Sequence, residues 1–374
     1  MINSLEKVTF FLTNECNLSC RYCVIKKEKQ TLSFKYAKKI LNVLLNNNKK
    51  EISLIFSGGE PLLKIDLIKK IIFYIEKKGK NNGKNINYRI ITNGTIINSK
   101  IISFIKKHNI EVVFSIDGTK KEHDKNRIFK DGKGSYNLVV NNFKKIKEVH
   151  SEINISSVIY ISNKKITEDL DSLISLEPRY LYLNLDLNDY KKKYDKKTYN
   201  YFINQICNWY IDFFRKNRRL PQITIINRLL ARIYDFKKYG KIWEKHFCQF
   251  TAGKYLVLNE KNGIYPCFLF KEKGMFSLNS SQGIDENKYR LFRGLLTEYF
   301  KESKKCDKCR AKNVCDKTIC PGLDLYLSNG FNDSKVACAH YLLFFDIANK
   351  IFKSNKNDKN FLSIIRKENR EKRE

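Results

Sequence analysis

The chain has no apolar run of about eighteen residues or more, so it has no candidate membrane-spanning helix. Its start, Met1-Ile2-Asn3-Ser4-Leu5-Glu6-Lys7, lacks the apolar core of a secretory signal. Both absences point to a cytoplasmic protein, where thiols stay reduced. Negative charge is scarce as well: 39 Asp and Glu stand against 72 Lys and Arg, a formal net charge of +33. That balance suits nucleic acid or an acidic partner. Yet there is no single basic stripe with interleaved aromatics, the pattern that single strands require. Lysine is instead spread over most helical stretches, so nucleic acid is disfavoured and an acidic peptide suits the charge better. No internal repeat and no low-complexity tract appears. Cysteine, by contrast, is abundant. Eleven residues, an odd number, fit a disulfide framework poorly, and their clustering suggests metal ligation.

The 374 residues, 42% of them hydrophobic, suffice for one large domain and a smaller one. From residue 7 to about 217, short apolar runs alternate with helical patterns. Strands are expected at Val8–Leu12, Leu54–Phe56, Tyr88–Ile91, Val112–Ile116, Ile155–Ile161 and Tyr180–Leu185. Helices are expected at 33–48, 62–78, 98–108, 137–149, 165–176 and 197–217, the second with Leu63, Leu67, Ile71 and Ile75 on its apolar stripe. Repeated strand–helix units imply an α/β fold with parallel strands and right-handed crossovers. Residues 218–247 read as a basic helical bridge, Tyr341–Phe352 as an apolar helix, and the last residues as a fraying charged tail.

The chemistry concentrates after the first strand, in Cys16-Asn17-Leu18-Ser19-Cys20-Arg21-Tyr22-Cys23. Three thiolates on one tight loop can hold three irons of a [4Fe–4S] cluster and leave the fourth open. A zinc loop would want four ligands, commonly in C-x2-4-C pairs. C-x3-C-x2-C with an aromatic in the last gap resembles the signature of the radical S-adenosylmethionine (radical SAM) enzymes. The resemblance implies a partial (β/α)6 TIM-type barrel. It also implies that the open iron chelates the methionine part of SAM, whose sulfonium is cleaved to a 5′-deoxyadenosyl radical. Gly58-Gly59-Glu60-Pro61 resembles the family's GGE motif, with glycines for close backbone approach and Glu60 for the SAM ammonium. Ser115-Ile116-Asp117-Gly118, then His123-Asp124-Lys125-Asn126-Arg127 and Gly132-Lys133-Gly134-Ser135-Tyr136, resemble a run found in members with an extra cluster domain. Ser115 is then expected at the ribose or methionine part of SAM and Arg127 at its carboxylate. Tyr22 would offer its backbone to the adenine edge, Asn93 would line the pocket or cap a turn, and Asp117 is expected among the SAM contacts, with a type I or II turn at Asp117-Gly118 as the alternative.

A second group, Cys248, Cys267, Cys306, Cys309, Cys315, Cys320 and Cys338, resembles the small cysteine-rich SPASM domain, a radical SAM extension that holds auxiliary [4Fe–4S] clusters. Asn262-Gly263-Ile264-Tyr265-Pro266-Cys267 resembles the turn that opens it. By position, Cys248, Cys267 and Cys320 would hold auxiliary cluster I, and Cys306, Cys309, Cys315 and Cys338 auxiliary cluster II. Clusters that bridge distant segments would replace a core this loop-rich region could not build. The gap between Cys315 and Cys320 is four residues rather than the usual three, and cluster I shows no fourth cysteine. Cys207, beside Trp209 on a helical stretch, reads as a buried thiol. The expected division is 1–217 radical SAM barrel, 218–247 bridge, 248–345 SPASM domain and 346–374 C-terminal helix and tail.

The resemblance implies an enzyme that cleaves SAM and modifies a ribosomally made peptide, by a thioether or carbon–carbon crosslink or a related oxidation. It would draw on an electron donor such as flavodoxin or ferredoxin. No leader-binding domain is expected before residue 7, and leader recognition, if any, would then fall to the barrel rim, the basic bridge or a separate protein. Sulfatase-maturing relatives carry a catalytic aspartate after the cysteine at position 267, where Phe268 stands here, which argues against that activity. A cysteine-rich metal-binding or electron-carrying protein is the alternative from another class. Nothing in the sequence singles out a catalytic base.

Overall fold

The computed structural model describes residues 4–79, 83–186, 189, 192, 194–240, 249–250, 252–270, 274–280, 283–299, 308–315 and 335–371. In chain order its elements begin β1 (Lys7–Phe11), α1 (Phe34–Asn46), β2 (Glu51–Ser57), α2 (Ile65–Gly79), β3 (Asn85–Thr92), α3 (Ser99–Lys107), β4 (Glu111–Ser115) and α4 (Lys120–Asn126). They continue with α5 (Tyr136–Lys147), β5 (Ile153–Ile159), α6 (Ile166–Ser175), β6 (Leu181–Leu185), α7 (Lys196–Asn217) and α8 (Thr224–Tyr239). After these come β7 (Tyr255–Leu258), β8 (Ile264–Tyr265), β9 (Asn279–Ser280), β10 (Gly283–Ile284), α9 (Glu286–Tyr299), α10 (Lys335–Asn355) and α11 (Lys359–Glu371). Among the described residues no helix is long and apolar enough to cross a membrane.

The chain forms two compact units, Met1–Ser115 with His123–Ile153 and Cys248–Tyr299, and Ile116–Glu122 with Asn154–Phe247 and Phe300–Glu374. These units cut across the expected domain boundaries. In the first, the strands run β4-β3-β2-β1-β7-β8, parallel throughout except for the β7–β8 hairpin. Val8 faces Leu54 and Leu54 faces Tyr88 in register. Val8, Phe10, Leu54, Phe56, Ile90 and Phe114 are fully buried, as strands covered on both faces require. Because Tyr255–Leu258 pairs with β1, residues assigned from sequence to a separate C-terminal domain belong to this sheet.

The expected stripe on α2 is corrected. Ile68, Ile71, Ile72 and Ile75 are buried, whereas Leu63 is exposed. Pro61 opens a 3-10 turn over Pro61–Lys64, and its tighter winding shifts the phase before the α-helix begins.

In the second unit β5 and β6 are parallel, with Ile155 opposite Leu181. The bulk of its core is helical: Phe202, Ile206, Tyr210 and Phe214 of α7, Leu229, Leu230 and Ile233 of α8, and Phe344 and Ile347 of α10 are all buried. The stretch expected as a bridge is therefore a core helix over its described part. The helix α11 is anchored over its described part: Phe361 is buried and meets the Phe214 ring edge-on at 5.1 Å.

Candidate active site

The ends of β1, β2, β3 and β4 in the first unit lead into the cysteine loop, the Gly58-Gly59 turn, Asn93 and Ser115. The chain leaves the sheet there, and parallel α/β folds place ligand sites at these strand ends. A cavity of about 140 Å³ opens at this point. Cys16, Cys20 and Cys23 all line it, and so do Tyr22, Gly58, Gly59, Asn93, Ser115 and Arg127.

The loop is held by its neighbours rather than by a core of its own. Ser19 N–H donates to the Ile128 carbonyl at 2.7 Å, Arg21 N–H to the Asn126 carbonyl at 2.9 Å, and Lys27 Nζ to the Leu18 carbonyl. Cys16 Sγ accepts from Leu18 N–H at 3.4 Å and from Asn93 Nδ2 at 3.6 Å. Burial pushes the Cys16 thiol upward, while these two donors pull the other way because they favour the thiolate. Asn93 is itself fixed: Nδ2 also donates to Asn17 Oδ1, and Oδ1 accepts from Thr95 N–H, both at 2.9 Å. It thus both lines the pocket and caps the turn.

Among the described residues no three His, Cys, Asp or Glu side chains close on a point that would hold a single metal ion. The three thiols share a cavity wall instead. Three sulfurs spread around one cavity, one of them already supplied with N–H donors, fit the donor set of an iron–sulfur cluster, whose tuning depends on such bonds to sulfur.

The glycines allow close backbone approach within the chain itself. Gly58 has φ +147°, and a Cβ there would lie 2.6 Å from the Thr13 carbonyl oxygen; one on Gly59 would lie 2.2 Å from that of Glu15. Gly59 N–H donates to Thr13 O at 2.7 Å and Glu60 N–H to Glu15 O at 2.8 Å. The turn lies flat on the backbone that leads into Cys16, and any side chain would lift it off. Glu60 is corrected. It is not in the cavity wall but completely buried, accepting from Leu62 N–H, Thr92 Oγ1–H and Asn93 N–H at 2.7 to 3.0 Å. It joins the glycine turn to the end of β3. Pro61 is likewise buried and starts the 3-10 turn.

Ser115 and Arg127 face the cavity, and the Arg127 guanidinium sits 5.3 Å from the centre of the Tyr22 ring. Asp117, expected at SAM, belongs to the second unit and is buried, its Oδ1 accepting from Val158 N–H at 2.9 Å. Gly118, at φ +67°, has no room for a Cβ, which would meet Asp169 Oδ1 at 2.2 Å. Asp117 and Gly118 are therefore scaffold. The His123–Tyr136 stretch is a knot that presents Arg127. His123 Nε2 and Ser135 Oγ lie 2.9 Å apart, Ser135 Oγ donates to the Arg127 carbonyl at 2.8 Å, and Tyr136 N–H donates to Asp124 Oδ1 at 2.8 Å.

Of the second cysteine group, Cys267 lies in the first unit and Cys309, Cys315 and Cys338 in the second, all without a disulfide. Cys248, Cys306 and Cys320 lie outside the described residues. Tyr341 Oη donates to the Val314 carbonyl at 2.7 Å, and Arg310 makes two bonds to Asp346 at 2.6 and 2.7 Å, which fasten the segment of Cys309 and Cys315 to α10. Cys207 is completely buried, its thiol pushed up to about 12 by burial, with Sγ donating to the Ile347 carbonyl at 3.4 Å. Asn14 and Lys27 are among the cavity residues that went unforeseen from sequence.

Comparison with known proteins agrees with this geometry. Residues 10–176 match the family model of the radical SAM superfamily. The chain is 31% identical over 273 residues to uncharacterized protein MJ0907 of Methanocaldococcus jannaschii, covering 71% of this chain and 86% of that protein. It is 27% identical over 374 residues to the cysteine-type anaerobic sulfatase-maturating enzyme of Clostridium novyi, covering 92% and 95%. It is 25% identical over 254 residues to the radical SAM cyclopropyl synthase TigE of Paramaledivibacter caminithermalis, covering 63% and 47%. Native anSMEcpe with bound AdoMet and Cp18Cys peptide shares the fold, with a TM-score of 0.77 at 21% identity over 94% of this chain and 99% of that one. So does Streptococcus suis SuiB bound to its precursor peptide SuiA, at 0.59, 17%, 85% and 72%. The chain belongs to the radical SAM superfamily and is an enzyme related to sulfatase maturases and peptide-modifying radical SAM enzymes.

Proposed function

We propose that the protein modifies a ribosomally made peptide, forming a thioether or carbon–carbon crosslink or a related oxidation. One observation carries the reading: the three thiols of Cys16, Cys20 and Cys23 share one cavity with Asn93, Ser115 and Arg127. In this superfamily a [4Fe–4S] cluster and SAM supply a 5′-deoxyadenosyl radical when bound. Cys16, Cys20 and Cys23 would hold that cluster. Leu18 N–H and Asn93 Nδ2 stabilise the Cys16 thiolate. Arg127, braced by the Tyr22 ring, supplies the cation for the SAM carboxylate, and the Ser115 hydroxyl bonds its ribose or methionine part. Gly58 and Gly59 keep the turn low enough to form one wall.

Cys248, Cys267 and Cys320 would hold one auxiliary cluster, and Cys306, Cys309, Cys315 and Cys338 a second, to accept or relay an electron. An acidic peptide suits a chain of net charge +33. A peptide substrate is supported by the peptides bound to anSMEcpe and SuiB.

Phe268 argues for crosslinking over sulfatase maturation. Its ring stacks on Phe11 at 5.4 Å and 26°, an apolar pair that holds no proton where the maturases carry aspartate. The full-length likeness to the Clostridium novyi enzyme keeps maturation as the second reading. Anaerobically reconstituted protein with SAM and dithionite should yield 5′-deoxyadenosine, and sulfatase-motif peptides should stay unmodified. An iron-loaded sample that leaves SAM intact would overturn the radical reading, and formylglycine in those peptides would overturn crosslinking.

A further inference from the structure

Asn14 stands two residues before Cys16, lines the same cavity and is only 2% exposed. Its Nδ2 donates at 2.9 Å to Oε1 of Glu260, itself 3% exposed. A carboxylate taken this far out of water is costly unless it is bonded, and a charged acceptor makes the bond stronger than one between neutral groups. We propose that Glu260 is a positioning residue for the SAM cavity: it fixes the amide of Asn14 in the cavity wall and ties that wall to the hairpin leading to Cys267. The inference rests on the radical SAM reading of the cavity and adds a residue that no motif assigns.

Glu260 can do this because the turn that carries it is rigid. Asn259 Oδ1 accepts from Gly263 N–H at 2.6 Å and from Lys261 N–H at 3.2 Å, and Asn262 takes the left-handed conformation at φ +60°. The turn, and the segment that follows β8, meet the flanks of the cysteine loop at one further point each. Asn262 Oδ1 accepts from Ser33 N–H at 3.0 Å, and Phe268 stacks on Phe11. An amide presents a donor on one side and an acceptor on the other, so an unheld Asn14 can turn over and reverse what it offers a ligand. With Nδ2 committed to Glu260, only one orientation is available.

The test compares Glu260→Ala, Glu260→Gln, Asn14→Ala and the double alanine variant with the wild type, after anaerobic reconstitution. SAM affinity is read by equilibrium dialysis, beside iron content and thermal midpoint. Glu260→Ala should weaken SAM binding about tenfold at unchanged iron content. Glu260→Gln should bind nearly as well as the wild type, since its Oε1 still accepts. In the Asn14→Ala background, Glu260→Ala should add nothing, because both act through one amide. If Glu260→Ala does not fold, Glu260→Asp, one methylene short of Asn14, takes its place with the same expected weakening. A lowered midpoint with unchanged SAM affinity would overturn the proposal, and so would losses that simply add. Wild-type protein that loads iron yet binds no SAM would overturn the underlying reading as well.

Discussion

Glu60 belongs to a motif that sequence reasoning aims at the ligand, yet its carboxylate bonds three groups of its own chain. Complete burial pushes it up from an ordinary 4.5 to about 7, against the pull of its three donors. The native state therefore keeps a proton that the unfolded chain releases from about 4.5 upward. Between 4.5 and 7 the native state binds more protons than the unfolded one, so the stability that Glu60 contributes falls as pH rises through that window. Glu60→Gln removes the titration and leaves other groups in place. Urea unfolding of both proteins at pH values on either side of the window should show the wild type losing up to about 3 kcal/mol relative to the variant on the alkaline side. A constant difference across the window would mean that the three donors hold Glu60 ionised throughout.

At the scale of elements, six strands and six helices were legible because each carries its own periodicity. Buried parallel strands are runs of Ile, Val and Phe, and the helices keep one apolar stripe. The cysteine loop was legible because its spacing is local. What escaped depends on partners far along the chain. β7 is four residues long and is a strand because β1 lies beside it. The Asn14–Glu260 bond joins residues 246 positions apart. The helix α11 looked like a charged tail because its anchors are few, but Phe361 and Ile365 are both buried. If those anchors hold the element, Phe361→Ala should cost about 3–5 kcal/mol in urea unfolding, whereas exposed Ser363→Ala should stay within about 0.5 kcal/mol. Equal, small effects would return α11 to the status of a loose appendage.

For the whole molecule the dominant quantity is the net charge of +33. Part of it acts locally and favourably. Lys77 and Lys78 end α2, Lys106 and Lys107 end α3, and Lys237 and Lys238 end α8, each facing the negative pole of its helix. That attraction acts within a turn, so salt weakens it less than it weakens interactions between distant charges. Repulsion among the remaining positive charges acts over longer distances, and screening removes it first: the Debye length falls from about 30 Å at 0.01 M salt to about 10 Å at 0.1 M. The long-range term is unfavourable and the short-range term favourable, so added salt should remove more repulsion than attraction. The thermal midpoint, followed by calorimetry under anaerobic conditions, should therefore rise by several degrees as sodium chloride goes from about 0.01 to 0.1 M. An equal concentration of glucose, which screens nothing, should leave it nearly unchanged. A midpoint that is flat or falls with salt would mean that the lysines are spaced widely enough, or neutralised well enough at helix ends, that self-repulsion does not limit the fold. An acidic peptide would then gain little from the charge beyond faster encounter.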